Sequence, residues 1–136
     1  AGPDDLESLD IAVALGDTLL ELGRPDEARP LLKDAYDRLR TRRDQRAAEA
    51  ALVLANALGP SGEGERLLRE SLAIRRAATP PDPGALARGL IHLGDFLVLS
   101  NRVDEGTPLL EQALALMDTP AGQTDPQLLT ALNDLA

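Results

Sequence analysis

One segment of the sequence occurs twice. Residues 15–35 read LGDTLLELGRPDEARPLLKDA, and residues 93–113 read LGDFLVLSNRVDEGTPLLEQA. Eleven of these twenty-one positions are identical, whereas composition alone would give roughly one or two. A chain that repeats a long segment is constrained to fold as repeated structural units instead of one irregular core.

A third, weaker copy lies between these two. The segment GRPDEARPLL at Gly23 corresponds to GPSGEGERLL at Gly59, so the first step is 36 residues. The second step is 42 residues, because Leu67 corresponds to Leu109. Steps of this length indicate stacked supersecondary units. The longer step is explained by RRAATPPDPG, a proline-rich turn that tolerates insertion.

Each copy predicts two helices separated by a short break. Apolar and small residues recur at helical spacing on both sides of the break. We expect the first helix to bury Ala12, Leu15, Gly16, Leu19 and Leu22. Small residues are expected to let paired helices approach closely at Gly16, Ala28, Ala35, Gly94, Gly106 and Ala113.

Local signals agree with this reading. Asp82-Pro83 and Asp125-Pro126 each place a side-chain acceptor before a proline, which predicts a helix start. The glycine-rich segment GPSGEGE at 59–65 lacks the Lys and Ser or Thr of a phosphate-binding loop, so we interpret it as an inter-helix turn.

Composition favours closely packed helices. Apolar residues make up 43% of the chain, and the aromatic residues are Tyr36 and Phe96. A strand-rich core would need more aromatic and β-branched residues. The absence of Cys excludes disulfides and thiolate chemistry. No apolar run approaches the ~18 residues of a membrane span, so we expect a cytoplasmic protein without a membrane partner.

The sequence resembles the tetratricopeptide repeat (TPR) family. LGDTLLELGRPDEARPLLKDA carries a small residue in the first helix, Gly at its end, DEA opening the second helix, and LL followed by Ala. The longer step is similar to the kinesin-light-chain type of TPR, whose repeat is about 42 residues. The middle copy departs from the pattern at Leu52, Gly64 and Ser71.

The resemblance implies an all-α fold, a right-handed α-solenoid of stacked antiparallel helix pairs. We expect a single domain over residues 1–136, with units at about 6–41, 44–78 and 83–118. The C-terminal segment LLTALNDLA resembles the first helix of a further repeat, which predicts a terminal helix at 125–136.

The family also implies where a partner would bind. In TPR proteins the first helix of each pair lines a concave groove that holds a peptide or a partner helix. Transferred position by position, the groove residues are Asp10, Val13, Asp17 and Leu20 in the first copy, Arg46, Glu49, Val53 and Asn56 in the second, and Arg88, Ile91, His92, Asp95 and Val98 in the third.

This predicted groove is mixed in charge with apolar patches, which suits a segment with apolar anchors and basic residues. The TPR carboxylate clamp of co-chaperones is not expected, because Val13 and Asp17 occupy its places. The alternative interpretation is that these residues form a solvated helix face.

Charge indicates the same kind of partner. Residues 1–37 carry −7, residues 38–102 carry +4 and residues 103–136 carry −6, for a net charge of −9. Nucleic acid is not expected as a partner, because phosphates repel such a field. The five arginines of DRLRTRRDQR at 37–46 fit a helix C-terminus, whose dipole favours cations.

Catalysis and cofactor binding are not expected. His92 is the only His, so it can form neither a triad nor a multi-His metal site, and no nucleophile stands beside a base. We therefore predict a non-enzymatic protein–protein interaction module within a larger regulatory protein. Two alternatives stay open. One is an oligomerising scaffold that joins the acidic C-terminal part to the basic stretch around Arg43 of another copy. The other is a sensory domain of a bacterial kinase, STAND ATPase or transcription regulator.

Overall fold

The computed structural model describes residues 5–117 and consists there of six α-helices without a β-strand. The helices are α1 (Leu6–Glu21), α2 (Pro25–Thr41), α3 (Ala47–Leu58), α4 (Gly62–Arg76), α5 (Pro83–Leu99) and α6 (Val103–Met117). Consecutive helices form three pairs, so the predicted all-α class of repeated helix pairs is confirmed. The predicted terminal helix at 125–136 lies outside the described residues.

The chain divides into two compact units, one up to Ile74 and one from Arg75 onward. The first contains α1, α2, α3 and most of α4, and the second contains α5 and α6. A single domain over the whole chain stays a prediction. Along residues 5–117, no helix combines the length and apolar character that crossing a bilayer requires.

The turn within each pair contains a residue of positive φ. Gly23 and Gly59 end the first helices of their pairs with φ of 74° and 70°, and Asn101 occupies the same place in the third copy with φ of 66°. This left-handed conformation is costly for most residues but accessible to Gly and Asn. The choice of residue at these positions therefore lets the chain reverse after each first helix.

Side-chain caps start two helices where the sequence places acceptors. Asp5 accepts a hydrogen bond from the backbone N–H of Glu7 at 2.8 Å. Asp82 accepts one from Ala85 N–H at 3.1 Å, and a proline follows it at the start of α5, as predicted. Asp125-Pro126 lies outside the described residues.

The predicted turn at 59–65 is too long. Helix α4 begins at Gly62, so the later residues of GPSGEGE are helical. The side chain of Ser61 explains the earlier start, because its Oγ accepts a hydrogen bond from Gly64 N–H at 3.0 Å. A serine acceptor before the first turn satisfies a backbone donor that has no partner within the helix.

In the first unit, α1 and α2 pack closely at a position without a side chain. A Cβ placed on Gly16 would lie 2.5 Å from Leu32 Cγ, well inside van der Waals contact. Ala28 and Ala35 of α2 are fully buried. The expectation that small residues bring paired helices together holds at these positions.

The predicted core stripe of α1 is partly wrong. Leu15 and Leu22 are 49% and 64% exposed, whereas Leu9, Val13 and Gly16 form the buried side of the helix. The exposure of these leucines depends on which helices pack against α1. The second copy buries the position of Leu15 at Ala51, because α3 contacts both helices of the preceding pair. Among residues 5–117, α1 contacts α2 and α3, and these contacts leave Leu15 exposed.

Polar contacts connect α4 to the helices before it. Ser71, which replaces the family's alanine, is fully buried, and its Oγ donates a hydrogen bond to the carbonyl of Ala48 at 2.7 Å. The middle copy therefore tolerates the serine, because the buried hydroxyl has an acceptor.

The Tyr36 hydroxyl donates a hydrogen bond to the carboxylate of Glu70, which also pairs with Arg40 at 3.0 Å and with Arg66 at 3.6 Å. Burial of the phenol, followed by the hydrogen bond and the charge of Glu70, raises the pKa of Tyr36 to about 12. This group of side chains ties α2 to α4 within the first unit.

The second unit repeats the close approach. A Cβ on Gly94 would lie 2.9 Å from Leu110 Cγ, and a Cβ on Gly106 would lie 2.6 Å from the carbonyl oxygen of Gly94. Helices α5 and α6 therefore meet almost backbone to backbone, and the leucines of α5 at 90, 93 and 97 are buried around that contact.

We predict that Gly16→Ala lowers the free energy of unfolding by about 1–3 kcal/mol, because the new methyl group overlaps Leu32. Gly62→Ala is the matched control. A Cβ there has no atom within 4 Å, and Ala is favoured over Gly in a helix by up to ~1 kcal/mol. Urea denaturation measures both, and equal effects would contradict the close approach.

We predict that Tyr36, the only tyrosine, ionises near pH 12 in the native protein and near pH 10 in denaturant. Because the native pKa is raised, its stabilising effect is complete below pH 10 and is lost as the pH rises toward 12. Absorbance of tyrosinate measures both midpoints. Glu70→Gln should lower the native midpoint but leave it above pH 10, since burial is the largest cause of the rise. A native midpoint near pH 10 would contradict the burial.

Candidate partner-binding groove

A hollow of about 370 Å³ lies between the first helices of the first two pairs. It belongs wholly to the first unit. Its lining is Asp10, Val13, Ala14 and Asp17 from α1, with Arg46, Glu49 and Val53 from the start and middle of α3. The structure therefore brings six of the predicted groove residues to one concave place.

Helical spacing explains why these side chains share a face. Asp10, Val13 and Asp17 follow one another at steps of three and four residues, which return to the same side of α1. Arg46 lies directly before α3, and Glu49 and Val53 repeat the same steps along it. Ala14 completes the lining from α1, although the groove positions taken from the family omit it. The sequence spacing could have indicated Ala14, because position 14 is one helical turn from both Asp10 and Asp17.

The floor of the hollow is apolar. Val13 is 9% exposed and Val53 is 3% exposed, because α1 and α3 contact each other here. The valines form the packed bottom of the hollow, where an aliphatic chain could rest without exposing polar backbone.

The rim of the hollow is charged and mostly acidic. Three carboxylates, from Asp10, Asp17 and Glu49, share it with the guanidinium of Arg46. Arg46 Nε lies 3.4 Å from Asp10 Oδ2, and its NH1 lies 3.8 Å from Asp44 Oδ2. Both partners in the Asp10–Arg46 pair are about half exposed, so this ion pair is weak and screened by salt.

The other predicted groove residues lie outside this hollow. Leu20 is half-buried near the end of α1, and Asn56 is exposed near the end of α3. The third set lies on α5 in the second unit, where Asp95 is exposed and the remaining members are half-buried: Arg88, Ile91, His92 and Val98.

A larger depression of about 570 Å³ lies along the C-terminal half of α2. Its charged residues largely neutralise one another, since Arg38 Nε lies 3.0 Å from both carboxylate oxygens of Asp34. Arg38 and Arg40 belong to the last turn of α2, in agreement with the dipole interpretation of the arginine-rich stretch.

Metal binding finds no support in the part of the chain that the structure describes. Within residues 5–117, no group of three His, Asp or Glu side chains could hold a metal ion.

Comparison with known families agrees with the repeated helix pairs. Residues 8–58 match the family model described as tetratricopeptide repeat. The match spans α1, α2 and α3, so it includes every residue that lines the hollow. The matched part of the chain is therefore similar to a tetratricopeptide repeat. No curated protein matches the chain.

We predict that Asp10→Asn changes the free energy of unfolding by less than about 1 kcal/mol, because the Asp10–Arg46 pair is exposed. Thermal denaturation at low and high salt measures the change. A loss of several kcal/mol would show that this pair holds α1 to α3, and the rim charges could then not be altered without disturbing the fold.

Proposed function

We propose that the hollow between α1 and α3 binds a segment of a partner protein. The hollow lies within residues 8–58, which match the tetratricopeptide-repeat model. TPR repeats are generally protein–protein interaction modules and are not catalytic. The observation that carries the proposal is the combination of a valine floor with three carboxylates and one arginine at the rim.

The chemistry of the hollow favours a basic side chain of the partner. Lys and Arg have long aliphatic stems and a charged end, so the stem can cover Val13 and Val53 while the end remains at the wet rim. There the cation would meet Asp17 and Glu49. Asp17 is exposed and has no ion pair or hydrogen bond among residues 5–117, so its carboxylate is available without breaking a contact.

The rim of the hollow favours a basic partner segment over an acidic one. An acidic partner segment would be attracted to Arg46 alone and repelled by the three carboxylates around it. A basic side chain that takes the carboxylate of Asp10 would release Arg46 at little cost, since the exposed pair contributes about 1 kcal/mol or less. The segment we propose therefore carries one or two basic residues beside small apolar ones, in an extended or helical form.

The proposal extends to the remaining groove positions of the family. Leu20 and Asn56 continue the same faces of α1 and α3. In the second unit, α5 carries Arg88, Ile91, His92, Asp95 and Val98 at the corresponding register, and a role for these residues in binding stays a prediction. This extension is supported by the repeat register, because these residues occupy equivalent positions in successive copies. A cytoplasmic location and a place within a larger regulatory protein stay predictions.

We predict that the full chain binds a labelled nonapeptide of alternating Leu and Lys, and binds a Leu and Glu counterpart much more weakly. Asp17→Lys should weaken binding of the Lys peptide by about tenfold, which corresponds to about 1.4 kcal/mol, because it replaces attraction by repulsion at the rim. Fluorescence anisotropy measures both affinities.

Asp37→Lys is the matched control, because it makes the same charge change on α2, at a position that does not line the hollow. It should leave the affinity nearly unchanged. If the two variants weaken binding equally, the net charge of the chain and not the hollow attracts the peptide, and the proposal fails.

A further inference from the structure

A second surface of α1 carries apolar side chains in contact with solvent. Ile11, Leu15 and Leu22 are 62%, 49% and 64% exposed. They recur at steps of four and seven residues, so with Thr18 they follow one line along the helix. We call the surface formed by these four residues the outer face of α1. It points away from the side of α1 that lines the hollow, by the 100° turn per residue of an α-helix.

The same positions are buried in the next copy of the repeat. Ile11 and Leu15 correspond, 36 residues later, to Ala47 and Ala51. These alanines of α3 are 1% and 0% exposed. Equivalent positions in stacked repeats face equivalent neighbours. The outer face of α1 is therefore the kind of surface that a further helix covers elsewhere in this chain.

Helix α2 contacts α3, the helix equivalent to α1 in the next copy. Arg29 of α2 donates a hydrogen bond from Nε to the carbonyl of Ala57 at 3.0 Å. The equivalent carbonyl at the end of α1 belongs to Glu21, 36 residues earlier. A covering helix with a basic residue at the same place would meet both a C-terminal carbonyl and the carboxylate of Glu21.

Charge complementarity specifies the partner further. Helix α1 contains four acidic residues and no Lys or Arg. Glu7 and Glu21 are exposed at the two ends of the outer face, and helical spacing puts them on the same side of it. An apolar stripe beside carboxylates at both ends fits an amphipathic helix whose own stripe is flanked by Lys or Arg.

We propose that the outer face of α1 docks a basic amphipathic helix of a partner protein. A second copy of the chain fits less well, because α6 also contains acidic residues and no basic one. A copy that presented α1 or α6 would bring carboxylates against carboxylates. Helices α2 and α4 both carry basic residues, and each already contacts α3.

The test uses a synthetic, labelled peptide with the sequence of residues 25–41, changed by Asp34→Lys and Asp37→Lys to make the α2 helix basic. We expect the full chain to bind it with micromolar affinity, by fluorescence anisotropy. Ile11→Lys in the chain should weaken binding by at least about tenfold, because it removes an apolar contact and repels the basic flank.

Leu99→Lys is the matched control, because Leu99 is an 87% exposed leucine that lies outside α1. This variant should bind the peptide with the same affinity as the unchanged protein. Asp17→Lys should also bind this helix nearly normally, which separates the outer face from the hollow. If circular dichroism shows that Ile11→Lys does not fold, Leu22→Lys at the end of α1 replaces it.

Two results would overturn the proposal. One is absence of peptide binding, or equal loss with Ile11→Lys and Leu99→Lys. The other is self-association of the unchanged chain in sedimentation that Ile11→Lys abolishes, because the occupant of the outer face would then be a second copy.

Discussion

The close approach of paired helices at glycine determines which faces of α1 and α5 are buried. At Gly16 the space of a side chain is taken by Leu32, and at Gly94 it is taken by Leu110 and the backbone of Gly106. Interiors packed to crystal-like density do not accommodate an added methyl group without movement. The contact therefore determines how α1 and α5 are rotated against their partner helices, and so which of their residues remain on the surface.

The hollow follows from this rotation. With Gly16 turned toward α2, Val13 lies at the contact with α3, and Asp10 and Asp17 stand at its edge. On α3, Leu52 stands in the place of the glycine, and Arg46, Glu49 and Val53 form the other wall. Burial is confined to the valines, and the charges stay in solvent, where ion pairs contribute little to stability. Charged residues at the rim are thus available to select a partner without being needed for folding.

The outer face of α1 and the hollow lie on different sides of one helix that carries only acidic charges. This helix gives both surfaces a preference for cationic partners, but they differ in shape. The hollow has a valine floor between two helices and suits single side chains of a segment. The outer face is convex, exposes whole leucine and isoleucine side chains, and suits another helix. A protein of this kind could hold two partner elements at once, since the two surfaces share no residue.

The sequence by itself determined the helix pairs, their repeat steps and the turns between them. These features depend on local chemistry, such as helical spacing, an acceptor before a proline at Asp82, and Gly or Asn where φ is positive. It also indicated the faces of α1 and α3 that meet in the hollow, because residues three and four apart share a side of a helix. Only the tertiary structure decided that Leu15 is exposed while its counterpart Ala51 is buried, and that Val13 forms a floor. The physical reason is that burial depends on which neighbouring helix is present, and the repeat pattern is the same whether or not that neighbour exists.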